Sequence, residues 1–307
     1  MAVNRRAFLS LPVAAVFDPR PARITLDRIS LLTDEIARSP EEAIAFCRQY
    51  GVKWVELRTV PGGGGTYAQL EEPVLVKAAE ELRRAGLRVS FLNTPMLKFT
   101  LPGTEPARRR NETPDQRRLR EQRDQARFDR RHEELARALR AAEIFGVSLV
   151  RVFTFTRVAE PAALLPEVAK ILAPMAAEAR SRGMKLLVEN EGSCNVATAA
   201  ELRRICELVP DAGLGINWDP VNALGFQEQA WPDGYQRLPL DRLGNVQMKA
   251  RGLVIDPPLL PWRRIFDALA ADAYSGRIGL ETHVFDGTLI EKAHLCMREI
   301  LQLVGEA

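Results

Sequence analysis

Four carboxylates, a carboxamide, a lysine and a histidine stand at the ends of consecutive apolar runs in the second half of the chain. Glu189 and Glu191 follow Leu186-Leu187-Val188, and Asp219 follows Ile216-Asn217-Trp218. Gln247 and Lys249 flank Met248, and Glu281 and His283 close the run Gly279-Leu280. Acids that converge within a few ångströms cannot all stay ionised unless a cation neutralises them. A divalent metal meets that need; the other reading is that each acid is a separate strand-end or cap residue paired with a nearby Arg. Oxygens from Glu189, Asp219, Gln247 and Glu281 form a hard donor set, which suits Mn²⁺ or Mg²⁺. Only His132, His283 and His294 exist, and Cys47, Cys194, Cys206 and Cys296 show no C-x-x-C spacing. A thiolate or imidazole zinc cage is therefore excluded, and four free thiols are expected.

The elements that must carry these groups are legible from hydrophobic periodicity. Eight strands are predicted, at 28–33, 54–57, 88–93, 149–155, 185–190, 213–218, 245–249 and 277–282. Helical spacing fills the intervals, beginning with the start signal Ser39-Pro40-Glu41-Glu42 and the stop at Gly51, and continuing at 73–86, 165–183 and 261–276. Runs such as Leu149-Val150-Arg151-Val152-Phe153 read as parallel strands covered by helices. Eight βα units in 307 residues predict a single α/β (β/α)8 TIM barrel over residues 23–307. A doubly wound open sheet is the runner-up, but no phosphate-binding glycine motif follows the first strand.

In such a barrel the strand C-terminal ends form the active face. Two insertions leave from it: the loop Gly62 to Gly65 and the polar stretch 102–131. Residues 108–131 hold ten Arg against five acids. A salt-bridged, solvated helix face is the favoured reading, and a lid that attracts an anionic substrate is the other.

A net charge of +3 from 43 basic and 40 acidic residues gives no global field for nucleic acid or an anionic membrane. No segment has the length of a membrane span. Residues 1–22 include Arg5-Arg6 and the apolar run from Leu9 to Phe17, which resembles a twin-arginine export signal, interrupted by Pro12 and without a clean cleavage site. This segment predicts a periplasmic location if it is a signal and a cytoplasmic one if it is a basic arm.

The strand-end sequences Leu187-Val188-Glu189-Asn190, Asn217-Trp218-Asp219-Pro220, Val246-Gln247-Met248-Lys249 and Leu280-Glu281 resemble those of the xylose-isomerase-like TIM-barrel superfamily. Thr33-Asp34-Glu35 and Val55-Glu56-Leu57-Arg58 are similar to its first two units, and the likeness runs from about Ile24 onward. The resemblance implies one divalent metal on Glu189, Asp219, Gln247 and Glu281. It selects Glu189 over Glu191, which strand parity leaves open. Gln247 replaces the usual His of an H-x-K-D pattern, and Asn222 stands where the endonuclease branch carries a His. A three-zinc nuclease site is thereby disfavoured.

The activity expected is isomerisation or epimerisation of a small sugar, sugar derivative or cyclitol through an enediolate. Glu189 and Glu281 would exchange the proton, and Lys249 would either stabilise the oxyanion or, paired with Asp219 or Glu281, serve charge balance alone. Glu56, Arg58, Asn93, Arg151, Glu191, Asn222 and His283 are the expected hydroxyl contacts. Trp231 is a candidate cover for the sugar, Cys194 is read as a bystander, and a homo-oligomer is compatible with the pattern. Two other readings remain: a metal-dependent lyase or dehydratase on a keto sugar or polyol, and a non-catalytic sugar-binding barrel.

Overall fold

The eight apolar runs pair in parallel, each with its sequence neighbour, and the first closes on the last. The strands are β1 Ile29–Leu32, β2 Trp54–Leu57, β3 Arg88–Leu92, β4 Leu149–Val152, β5 Lys185–Glu189, β6 Leu214–Trp218, β7 Leu243–Lys249 and β8 Arg277–Glu281. This is the expected single barrel, seen in a computed structural model that describes residues 23–108, 111–251, 254 and 259–305. The twin-arginine pattern lies outside the described residues. β4 is shorter than expected because Phe153 and Phe155 turn their amide N–H groups to Met96 and Leu97 carbonyls instead of extending the ladder.

The helices are α1 Pro40–Tyr50, α2 Glu72–Arg84, α3 Pro114–Asp129, α4 Arg131–Phe145, α5 Pro161–Ser181, α6 Ala199–Leu208, the single turn α7 Tyr235–Arg237, α8 Trp262–Ala271 and α9 Leu289–Val304. Local chemistry sets their ends. The Ser39 hydroxyl accepts the Glu42 amide and Gly51 closes α1 with a left-handed φ of 68°. Thr198 and Glu201 form a reciprocal capping box on α6. α8 stops short of the expected Gly276 because Ala273 takes a positive φ. Among the described residues no helix is long and apolar enough to cross a membrane.

The strands present apolar residues to the helices, including Val55, Leu57, Val150, Val152, Leu186, Val188, Leu214, Ile216, Trp218, Val246, Met248, Ile278 and Leu280, all sealed from solvent. The other face differs from the branched apolar filling usual in this architecture. Ser30, Glu56, Ser90, Asn217, Asn245 and Gln247 are buried polar residues. They are tied to one another and to the mouth by hydrogen bonds, as burial of polar groups requires.

The two insertions resolve simply. Gly62 to Gly65 makes a tight loop pinned by Thr59 and Thr66, with Gly62, Gly63 and Gly65 at positive φ. The Arg-rich stretch forms α3, capped by a box between Thr113 and Gln116. Its guanidinium groups are answered locally: Arg117 meets Glu105 and Glu121, Arg120 meets Glu112 and Asp124, and Arg127 lies over the Phe99 ring. This is the salt-bridged face.

Candidate active site

Strand register delivers the polar residues to the mouth in pairs: Glu189 lies beside Asn217, Gln247 beside Gly279, and Lys249 beside Glu281. Asn245, Gln247 and Lys249 share one face of β7 by period-two alternation. Glu189 accepts through Oε2 from Arg151 Nη1 at 3.0 Å and Asn217 Nδ2 at 2.7 Å. Asp219 lies one residue past β6. Its Oδ1 accepts the amides of Val221 at 2.9 Å and Asn222 at 3.1 Å, while Oδ2 stands 2.7 Å from Lys249 Nζ. Lys249 also donates to Asn222 Oδ1 at 2.8 Å and lies 3.6 Å from Glu281 Oε2. Glu281 Oε1 faces Arg58 Nη1 at 3.2 Å and His283 Nδ1 at 3.4 Å. Gln247 donates to the Gly279 carbonyl at 3.4 Å, and its Oε1 meets Asn217 Nδ2 at 3.5 Å.

Arg58 is the hub of the β1–β2 side. It binds Asp34 at 2.9 Å, Glu35 by a short contact, and Glu281. Glu35 then accepts from the Thr282 hydroxyl at 2.9 Å and from the His283 amide at 2.8 Å. His283 holds a left-handed φ of 53°, which is uncommon for a residue with a Cβ. Among the described residues, Glu35, Glu281 and His283 form one carboxylate and imidazole group with ligand atoms within 4.8 Å of one another. Both Glu35 oxygens are already committed to donors, so Glu35 orients the site.

The structure thus brings together Glu189, Asp219, Gln247, Lys249, Glu281, Arg58, Arg151, Asn222 and His283. The other expected residues are engaged with partners of their own. Glu191 is turned to Lys98 Nζ at 2.8 Å and to the Ser193 amide and hydroxyl, each at 3.1 Å. Glu56 and Asn93 are bonded to each other at 2.9 Å, and Glu56 also accepts from Asn245 at 3.0 Å. All three are buried. Trp231 packs on Tyr235, which packs on Trp218. Cys194 is buried, as are the other three free thiols, and burial pushes its thiol up to about 12.

Sequence reasoning missed Asp34 and Glu35 as site residues, although both follow the end of β1 and the rule applied to strands five to eight would have found them. It also missed Asn217 and Asn245, polar interruptions in apolar strands. Lys98 comes from a loop and has no sequence signal.

The charge states follow from the neighbours. Burial raises the Asp219 carboxyl to about 6 against the pull of the Lys249 ammonium. Burial would also raise Glu281, but the His283 contact and the charges of Lys249 and Arg58 outweigh it and hold this carboxyl far below its ordinary range. Burial opposes the Lys249 charge, and Asp219 and Glu281 more than restore it.

These residues fit a divalent cation. Five carboxylates, Asp34, Glu35, Glu189, Asp219 and Glu281, face three cations, Arg58, Arg151 and Lys249, and so leave two negative charges over. Glu189 and Glu281 each spend one oxygen on their anchors, and the buried Asp219 Oδ2 faces the Lys249 ammonium at 2.7 Å. The donors of Glu189, Asp219, Gln247 and Glu281 are oxygens, but among the described residues the acidic and imidazole atoms within 4.8 Å of one another are those of Glu35, Glu281 and His283, so the four would have to close around an ion.

Comparison with known proteins agrees with this architecture. The IolI protein with a bound zinc atom superposes with a TM-score of 0.66 at 13% identity, over 91% of this chain and 98% of that one. An L-ribulose 3-epimerase gives 0.65 at 17% identity, over 91% and 94%. A xylose isomerase-like TIM-barrel protein from Mycobacterium smegmatis in complex with magnesium gives 0.62 at 14% identity, over 92% and 98%. Identities this low carry the fold and not a reaction. No curated protein matches the chain. The sequence profile of one family matches residues 44–300, and the chain accordingly belongs to the xylose isomerase-like TIM-barrel family.

Proposed function

We propose that this protein is an isomerase or epimerase of a small uncharged sugar, sugar derivative or cyclitol. It would work through an enediolate and use one divalent cation, magnesium or manganese, held by Glu189, Asp219, Gln247 and Glu281. The observation that carries the reading is the pair Glu189 and Glu281. Each is anchored through one oxygen by a guanidinium, Arg151 or Arg58, and keeps the other oxygen for the mouth. The bound cation would polarise the substrate carbonyl and acidify the neighbouring C–H. The Glu189 carboxylate takes that proton, with Arg151 and Asn217 fixing its plane. Glu281, ionised at rest, takes a proton from solvent and returns it to the carbon from the opposite side, and Glu189 then gives its proton back to solvent, which resets the pair. Lys249 faces the enediolate oxygen. Arg58, Asn222 and His283 line the rim where hydroxyl groups would bind. An uncharged substrate is favoured because Arg58, Arg151, Lys98 and Lys249 are each already matched by a carboxylate.

The relatives support this reading, since one is an L-ribulose 3-epimerase and others carry zinc or magnesium. The test is incubation with a panel of ketoses, inososes and 3-keto sugars in D₂O, followed by NMR. Deuterium next to the carbonyl in a new stereoisomer or isomer, abolished by EDTA and restored by Mn²⁺ or Mg²⁺, is expected. An unsaturated product would indicate a lyase instead, and binding without any exchange a sugar-binding barrel.

A further inference from the structure

We propose that the Lys249 ammonium and the divalent cation compete for one place, so that the ion enters only by moving Lys249 out from between Asp219 and Glu281. The proposal rests on the metal-assisted reading above and adds a gate to it. Lys249 is seated by three oxygens, two from the turn after β6 and one from the end of β8: Asp219 Oδ2 at 2.7 Å, Asn222 Oδ1 at 2.8 Å and Glu281 Oε2 at 3.6 Å. Two of these belong to expected ligands, and they are the oxygens those ligands have left to give. Asp219 Oδ1 is committed to the amides of Val221 and Asn222, which hold the turn after β6. Glu281 Oε1 is committed to Arg58. The ammonium is therefore turned toward the two oxygens a metal would need.

A hard divalent cation binds such oxygens at about 2.0–2.6 Å. An ammonium left 2.7 Å from the same Asp219 oxygen would then lie within a few ångströms of the ion. Both sites are shielded from water, so the repulsion between the two cations is weakly screened. This repulsion drives Lys249 away from the shared oxygen. Its stem is on β7, in register with Glu281, and Asn222 remains as a partner on the outer side. Glu191 also lies within Coulomb reach of Lys249. Loading the ion thus releases the ammonium toward the substrate oxygen that it is to stabilise, which makes metal entry and the arming of Lys249 one event.

The measurement is calorimetric titration of Mn²⁺ into the full-length protein, its Lys249→Met and Lys249→Arg variants, and Asp219→Asn, with circular dichroism to verify folding. Lys249→Met is expected to bind Mn²⁺ at least about tenfold more tightly than wild type, because the competing charge is gone. Lys249→Arg should stay within roughly threefold of wild type. Asp219→Asn should lose binding. Equal or weaker binding by Lys249→Met, with binding still lost in Asp219→Asn, overturns the gate and leaves the metal site standing. Undiminished binding by Asp219→Asn places the ion elsewhere and removes both. Lys249→Gln replaces the Met variant if the latter does not fold, with the same expectation.

Discussion

Glu56 in the barrel lumen and Glu281 at its mouth are two buried carboxyl groups a few strands apart, and their protonation goes in opposite directions. Burial is the largest influence on each and raises both. What differs is the company. Glu56 has the amides of Asn93 and Asn245, which ease the charge without matching it, and its pKa rises to about 7. Glu281 has Arg58, Lys249 and His283, and stays ionised. The lumen layer meets Glu56 first with dipoles, and the Arg151 charge adds a weaker pull. The mouth is built of charges, and it is there that a charged intermediate can be met.

The sharpest way to break this contrast is to remove the charge at the mouth. Glu281→Gln should lower turnover roughly 10²–10⁴-fold, the range for loss of a general acid or base, with the circular dichroism spectrum unchanged. Activity near wild type would end the catalytic assignment.

The lumen responds to volume. A Cβ placed on Gly279 would lie 1.9 Å from Glu56 Oε1 and 2.5 Å from its carboxyl carbon. Gly279→Ala should destabilise by about 3 kcal/mol, the upper part of the overpacking range. Adding Glu56→Ser should recover a large part of that loss in a double-mutant cycle. Purely additive effects would show that the two positions do not press on each other.

The same lumen should respond to pH through Glu56. Its folded pKa of about 7 lies above the ordinary 4.5, so the folded state holds the extra proton between these values. Stability from this group is full below about pH 4.5, declines as pH rises through 7 and stays low above it. The span corresponds to a loss on the order of 3 kcal/mol between the two limits. Urea unfolding at pH 5 and pH 8 should show that loss in wild type and a smaller one in Glu56→Gln. Parallel curves would remove the distinction drawn between lumen and mouth.

The smallest effect is expected far from both layers. Arg117→Ala on α3 deletes exposed ion pairs to Glu105 and Glu121, and pairs of this kind contribute little. The unfolding midpoint should not move. A loss of substrate affinity in this variant would restore the lid reading of the Arg-rich stretch.

Much of this was legible before any coordinates. Strands β2, β3, β5 and β6 fell within a residue of their expected limits, because an apolar run between a glycine stop and a helix start is set by local chemistry. Glu189, Asp219, Gln247, Lys249 and Glu281 were expected as one group by the same logic, and the structure joins Lys249 to Asp219 and Glu281 and links Glu189 to Gln247 through Asn217. The hydrogen-bond partners were not legible. Asn217 and Asn245 read as interruptions in apolar strands until register set them against Glu189 and Glu56. Glu35 read as a residue after β1 until β8 closed the barrel and brought Thr282 and His283 to it.

What the chain alone determined is the periodicity, and with it eight βα units and a rim of oxygen donors, because these depend on residues close in sequence. Which of those donors are free and which are spent was decided by closure. Arg58 reaches Glu281 across 223 positions of sequence. Lys249 settles between Asp219 and Glu281 only when three strands and a loop fix the distances, since Coulomb attraction acts through space and takes no account of chain order.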